Sequence, residues 1–141
     1  MRLWDSSALV PLLVESENSK RLTGLYRENV PLLAWWGTTI ECASAIARLE
    51  REGKLDASAV KAAFARLKAL HEGWQEVQPV DALRDIAIRL LRVHALRAAD
   101  SVQLAAAILA AESKPATLEF VCLDARLALA AAREGFTVID V

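Results

Sequence analysis

Four acids fall where the sequence passes from one structural element to the next: Asp5, Glu41, Asp100 and Asp124. Asp5 follows the short apolar run Arg2-Leu3-Trp4, and Asp124 follows the strongly apolar Leu118 to Leu123. Glu41 lies in the first turn of a helical pattern that starts at Thr38. Asp100 lies near the start of another, in the stretch LRAADSVQLAAA. Carboxylates brought together repel one another, at a cost of several kcal/mol in water-poor surroundings unless a cation compensates. Hard oxygen donors without His or Cys select Mg²⁺ or Mn²⁺. Such a site would hold one or two ions about 4 Å apart, activate a water and stabilise the leaving oxygen of a phosphodiester.

Each acid also has a purely structural reading. Asp5 and Asp124 are good helix N-caps. Thr38 and Glu41 form the pattern Thr-x-x-Glu of a capping box. Asp100 can pair with Arg97, one helical turn back. Four such signals at one edge of a sheet argue for a site; taken one at a time they argue for caps and pairs. Arg97 itself either contacts a substrate phosphate or pairs with Asp100. His71 and His94 are far apart, have no metal-ligand spacing and show no partner that would make either a general base. The sequence holds no Ser-His-Asp set, Gly-rich phosphate loop or Cys-His pair.

The elements that must position these acids alternate between strand and helix. Strands are expected at Arg2–Trp4, Leu32–Trp35, Trp74–Val80, Leu118–Leu123 and Phe136–Ile139. Helices are expected at Ser7–Val14, Ser19–Glu28, Thr38–Arg51, Asp56 to Leu70, Asp81–Leu91, Leu96–Glu112 and Ala125–Arg133, from apolar periodicity and from breaks at Gly53, Gly73 and Pro115. Asp56 and Asp81 read as caps. The fourth helix should bury Val60, Phe64, Leu67 and Leu70. Trp35 and Trp36 are both expected to pack between layers. On a helical wheel, Arg97, Asp100 and Ser101 share one side of the helix that opens LRAADSVQLAAA. Beyond Gln103 that helix is apolar all round. Alternating strands and helices give an α/β fold with a mainly parallel sheet, whose ligand site falls at the carboxyl ends of the strands.

The bulk composition sets limits on class. The 141 residues suit one domain, residues 1–141, with a sizeable core; 55% are hydrophobic and 25% charged, a folded and not a disordered balance. The net charge of −1, from 17 basic and 18 acidic residues, rules out a generally basic nucleic-acid coat but leaves local patches open. Cys42 and Cys122 sit in apolar surroundings and read as buried thiols of a cytoplasmic protein. No apolar run approaches the roughly 18 residues of a membrane span, and Asp5 interrupts what would be a signal-peptide core. The run Arg84, Arg89, Arg92 reads as a solvated helix face, and Glu15, Glu17 and Asp140 as surface acids.

Four stretches in this order resemble the PIN-domain family, and within it the VapC-type toxins of toxin–antitoxin pairs: LWDSSALVPLLVESE, TTIECASAIARLEREGKL, LRAADSVQLAAA and FVCLDARLALAAAREGFTVIDV. The resemblance spans essentially the whole chain. It implies a three-layer α/β/α sandwich around a parallel sheet and an endoribonuclease that depends on Mg²⁺ or Mn²⁺. It implies Asp5, Glu41, Asp100 and Asp124 as the catalytic and metal-binding acids. Ser6 matches the family's usual hydroxyl residue after the first Asp, and Ser6 and Arg97 are the substrate-binding candidates. The implied partners are RNA, a VapB-type antitoxin and a second copy of the chain, with the helical pair Thr38–Arg51 and Asp56–Leu70 contributing contacts. Two other classes stand beside this one. A non-catalytic interaction module would keep the fold without the chemistry. A signalling receiver domain would need a second acid beside Asp5 and a Lys after the strand ending near Asp124, and neither is present.

Overall fold

The computed structural model describes residues 1–141. Five parallel strands form one sheet in the order β3-β2-β1-β4-β5: β1 (Arg2–Trp4), β2 (Leu32–Trp35), β3 (Gln75–Val77), β4 (Glu119–Val121) and β5 (Thr137–Val138). Seven α-helices connect them: α1 (Ser6–Leu13), α2 (Ser19–Tyr26), α3 (Thr38–Arg51), α4 (Ala57–Gly73), α5 (Asp81–Val93), α6 (Ala98–Ala110) and α7 (Ala125–Arg133).

The strands alternate their side chains between two cores, as a pleated strand must. Leu3, Leu33 and Phe120 join Leu83, Leu90, Leu104 and Leu127 on the face covered by α5, α6 and α7. Trp4, Leu32, Ala34 and Val121 join Leu9, Leu22, Ile46 and Leu67 on the face covered by α1 to α4. The result is the expected three-layer α/β/α sandwich. The chain order turns back across β1, with β2 on one side and β4 on the other. The crevice at such a reversal lies outside the carboxyl ends of the strands and is the usual ligand position in open α/β sheets.

Several element ends differ from the expected ones, for identifiable reasons. The sheet keeps only the residues that find a neighbour, so β3, β4 and β5 are shorter than their apolar runs. Leu123, expected to extend β4, donates its N–H to Ser7 Oγ at 2.9 Å, outside the ladder. Asp81 does not cap α5; it is the first helical residue, and Val80 is the N-cap. Thr38 is not a capping residue either. It is the first residue of α3 after Gly37, which has no side-chain cap bond, so the Thr-x-x-Glu box does not form. Gly37 is placed by contact, since a Cβ there would meet the Trp35 indole nitrogen at 2.5 Å. Phe64 is 40% exposed, with Ala63 and Leu67 facing the core of α4 in its place. Trp35 packs against the core, but Trp36 lies past the end of β2, half exposed and edge-on to Trp35.

Candidate active site

Asp5 is delivered by β1 and starts α1. Its backbone N–H reaches Val121 of β4, which fixes the residue at the centre of the carboxyl edge. The carboxylate is 4% exposed. It accepts from the Ser7 N–H at 3.1 Å and the Ser7 hydroxyl at 2.5 Å. The same hydroxyl accepts the Leu123 N–H, so Ser7 ties Asp5 to the end of the β4 segment. Asp124, which follows that segment, accepts from the Leu127 N–H at 2.9 Å and caps α7. Glu41 stands in the first turn of α3, and Asp100 in the first turn of α6. The N-cap readings of Asp5 and Asp124 therefore hold, and they do not compete with the site, because the same capping bonds aim both residues along the carboxyl edge.

All four acids line one open cavity of about 940 Å³, together with Ser6, Arg97, Arg48 and Lys54. None of the four takes part in an ion pair; every salt bridge in the molecule lies elsewhere. Arg97 does not bridge to Asp100. Its backbone is extended, and it precedes α6 as the N-cap without a side-chain cap bond. Ser101 leaves the expected polar face: it is buried, donates to the Ala98 carbonyl at 2.7 Å and lines a smaller cavity beside α5. Asp140 is exposed and does not line the site cavity.

Electrostatics follow from this crowding. Burial, then the neighbouring Asp5, then Asp100 push the Glu41 carboxyl up to about 7, with only the Gln103 hydrogen bond opposing. Asp5 is raised by burial and by Asp100, against the pull of Ser7. Asp100 is raised by burial and by Asp124, partly offset by Arg97 and Arg126. Burial pushes the Cys42 and Cys122 thiols up to about 12, so both stay protonated and neither offers a thiolate. The donor set is all carboxylate oxygen, which suits a hard divalent cation. No three of these side chains are yet gathered in the arrangement of a formed metal site.

Two polar residues that the sequence reading passed over reach the acids. Ser7, not Ser6, is the hydroxyl that holds Asp5. Gln103, on α6, is fully buried and donates to Glu41 Oε2 at 2.7 Å and to Thr38 Oγ1 at 3.0 Å. Its only signal in the sequence is one amide at the head of the apolar run LAAAILAA. The two histidines also differ from expectation, because each has a carboxylate partner away from the site. His71 meets Glu76 at 3.1 Å, and the nearly buried His94 meets Glu134 at 2.8 Å. Arg89, expected to be solvated, also reaches Glu134 at 2.8 Å.

No family model and no curated protein matches this sequence. Solved structures do match its fold. FitAcB from Neisseria gonorrhoeae aligns with a TM-score of 0.67 at 18% identity, over 99% of this chain and 97% of that one. PAE2754 from Pyrobaculum aerophilum aligns with a TM-score of 0.64 at 22% identity, over 97% of this chain and 81% of that one. A toxin–antitoxin complex from Klebsiella pneumoniae contains a chain that aligns with a TM-score of 0.64 at 15% identity, over 99% of this chain and 97% of that one. The likeness establishes that this three-layer α/β/α fold is shared with those proteins. No helix is long and apolar enough to cross a membrane.

Proposed function

We propose that the protein is a divalent-metal-dependent endoribonuclease of the PIN-domain, VapC-like kind, and the toxin of a toxin–antitoxin pair. The observation that carries this reading is the set of four carboxylates from β1, α3, α6 and the β4–α7 junction, which share one cavity without a single ion pair. Acids crowded at the ligand edge, where their charges raise one another and no ion pair offsets them, mark a place for an added cation. The resemblance in the four sequence stretches and a structural neighbour described as a toxin–antitoxin complex support the same reading.

Asp5, Asp100 and Asp124 would hold Mg²⁺ or Mn²⁺, and Glu41 would complete the set or orient the attacking water. When bound, the cation supplies a more acidic water and offsets charge on the phosphate oxygens. The chain's own groups do the rest. Ser7 and the start of α1 keep Asp5 fixed and oppose the rise that burial imposes on its carboxyl. Exposed Arg97, on the same cavity and free of any ion pair, is placed to take a substrate phosphate. Ser6 lines the cavity and is the second substrate contact. Arg48 and Lys54 give that cavity a basic flank along which a polyanion can lie.

The partners belong to the same proposal: RNA as substrate, a VapB-type antitoxin and a second copy of the chain, all in the cytoplasm. Exposed Ile40 of α3 and Phe64 of α4, 63% and 40% accessible, support docking of an antitoxin on that helical pair. The test is cleavage of a mixed RNA pool, with and without Mg²⁺ or Mn²⁺, by the wild type and by Asp100→Asn. Ion-dependent cleavage that leaves 5′-phosphate and 3′-hydroxyl ends, and that Asp100→Asn abolishes, is the expected result. Full cleavage by the variant sinks the assignment. A wild type that neither binds a cation nor cleaves RNA would instead be a non-catalytic interaction module.

A further inference from the structure

We propose that Gln103 is a positioning residue for the acidic site, holding the Glu41 carboxylate in the orientation in which a divalent cation meets it. This rests on the metal-binding reading above and assigns the group that sets Glu41 within it.

Three observations converge. First, Gln103 Nε2 donates to Glu41 Oε2 at 2.7 Å and to Thr38 Oγ1 at 3.0 Å, which uses both amide hydrogens. The opposite amide orientation would set Oε1 against the carboxylate, so the group has one serviceable orientation. Second, Glu41 has no other side-chain hydrogen bond and no ion pair, and its Oε1 remains free. Gln103 thus fixes one oxygen and leaves the other to the cavity. Third, Gln103 is 0% exposed, and its own Oε1 is buried without a partner.

The third observation separates a site role from a packing role. An orphaned buried oxygen disfavours the folded state, and an apolar side chain of similar length would remove it. The amide thus carries one unpaired oxygen in the core while its nitrogen serves Thr38 and the site acid Glu41. Asp100 and Gln103 are three residues apart on α6 and therefore share a face. One helix sets Asp100 directly and Glu41 through the amide.

The test is a calorimetric titration with Mn²⁺ at one fixed pH, on the wild type, Gln103→Met, Glu41→Gln and the double variant, with urea unfolding of each. Gln103→Met is expected to weaken Mn²⁺ binding about tenfold to a hundredfold, the range for loss of a group that orients a metal ligand. In the Glu41→Gln background the same change should have no further effect, because the two residues act as one unit. The urea midpoint of Thr38→Val/Gln103→Met, which leaves neither the Gln103 oxygen nor the Thr38 hydroxyl unpaired in the core, should equal or exceed that of the wild type. Should Gln103→Met fail to fold, Thr38→Val/Gln103→Met replaces it, since it removes both ends of the second hydrogen bond. Unchanged Mn²⁺ affinity in Gln103→Met overturns the proposal, as does an equal loss with and without Glu41. A wild type with no saturable Mn²⁺ binding overturns the metal site as well, and is thereby told apart from a failure of Gln103 alone.

Discussion

Glu41 and Glu134 are the same residue type, each largely shielded from water, and their surroundings push them in opposite directions. Glu134 closes the seam between α5 and α7, where Arg89 and His94 each reach one of its oxygens at 2.8 Å. The Arg89 hydrogen bond, helped by His94 and opposed by burial, holds its carboxyl below the ordinary value. Glu41, at the carboxyl edge, meets Asp5 and Asp100 and is pushed up to about 7. The amino edge of the sheet resembles the seam: Arg2 pairs there with Glu28 and Glu119. Glu134, Glu28 and Glu119 are compensated within the chain. Asp5, Glu41, Asp100 and Asp124 meet no ion pair in the cavity they share, and that difference is the physical basis for assigning them a cation from outside.

The comparison breaks most visibly at Asp100. Asp100→Asn removes a charge from the crowded edge, so it should lower RNA cleavage about a thousandfold, the rate equivalent of about 4 kcal/mol. The same change should leave the urea midpoint unchanged or raised. Glu134→Gln should do the reverse. It leaves nearly buried His94 and half-exposed Arg89 without their carboxylate, at a cost of about 1–3 kcal/mol in urea unfolding, while cation binding is untouched.

A pH series sharpens the contrast. Between the ordinary value of 4.5 and about 7, folded Glu41 holds a proton that the unfolded chain has released. Stability in EDTA should therefore fall as pH rises through that window, and the raised Asp5 and Asp100 act in the same sense. Glu134 acts oppositely. Its stabilisation is present above 4.5 and is lost as pH falls through its lowered folded value. Melting temperatures in EDTA should show Glu41→Gln flattening the decline towards neutral pH and Glu134→Gln flattening the acid limb. Saturating Mn²⁺ should cancel the decline towards neutral pH. The smallest expected effect separates two adjacent hydroxyls. Ser7→Ala should cost about 1 kcal/mol, because it strips a donor from Asp5 and an acceptor from Leu123. Ser6→Ala, whose hydroxyl has no partner, should stay within about 0.5 kcal/mol in urea unfolding.

Much of the fold was legible because local signals decide it. Helices Thr38–Arg51 and Ala125–Arg133 and strand Leu32–Trp35 have the ends that periodicity, glycine and capping residues indicate. Strand ends were not, because remote partners set them: Leu123 leaves the ladder for Ser7, 116 residues away. That Asp5, Glu41, Asp100 and Asp124 share one cavity was legible from their places at element junctions. What holds them was not. The local Thr38–Glu41 pattern suggests a capping box, yet both side chains turn to Gln103, more than 60 residues further on. The carboxylate partner of His94 lies 40 residues away for the same reason. Contacts of this range leave no periodic trace, and only the isolated amide in an apolar helix hints at one.

The central claim is that the uncompensated acids hold a divalent cation. Its most direct test is a Mn²⁺ titration followed by electron paramagnetic resonance, on the wild type and on Asp100→Asn, with Glu134→Gln as the control from the compensated seam. Saturable binding in the wild type and in Glu134→Gln, lost or much weakened in Asp100→Asn, is the result the account predicts. Binding that does not distinguish Asp100→Asn from the wild type would contradict it, and would leave Asp5 and Asp124 as helix caps and Glu41 and Asp100 as first-turn acids, with no metal to share.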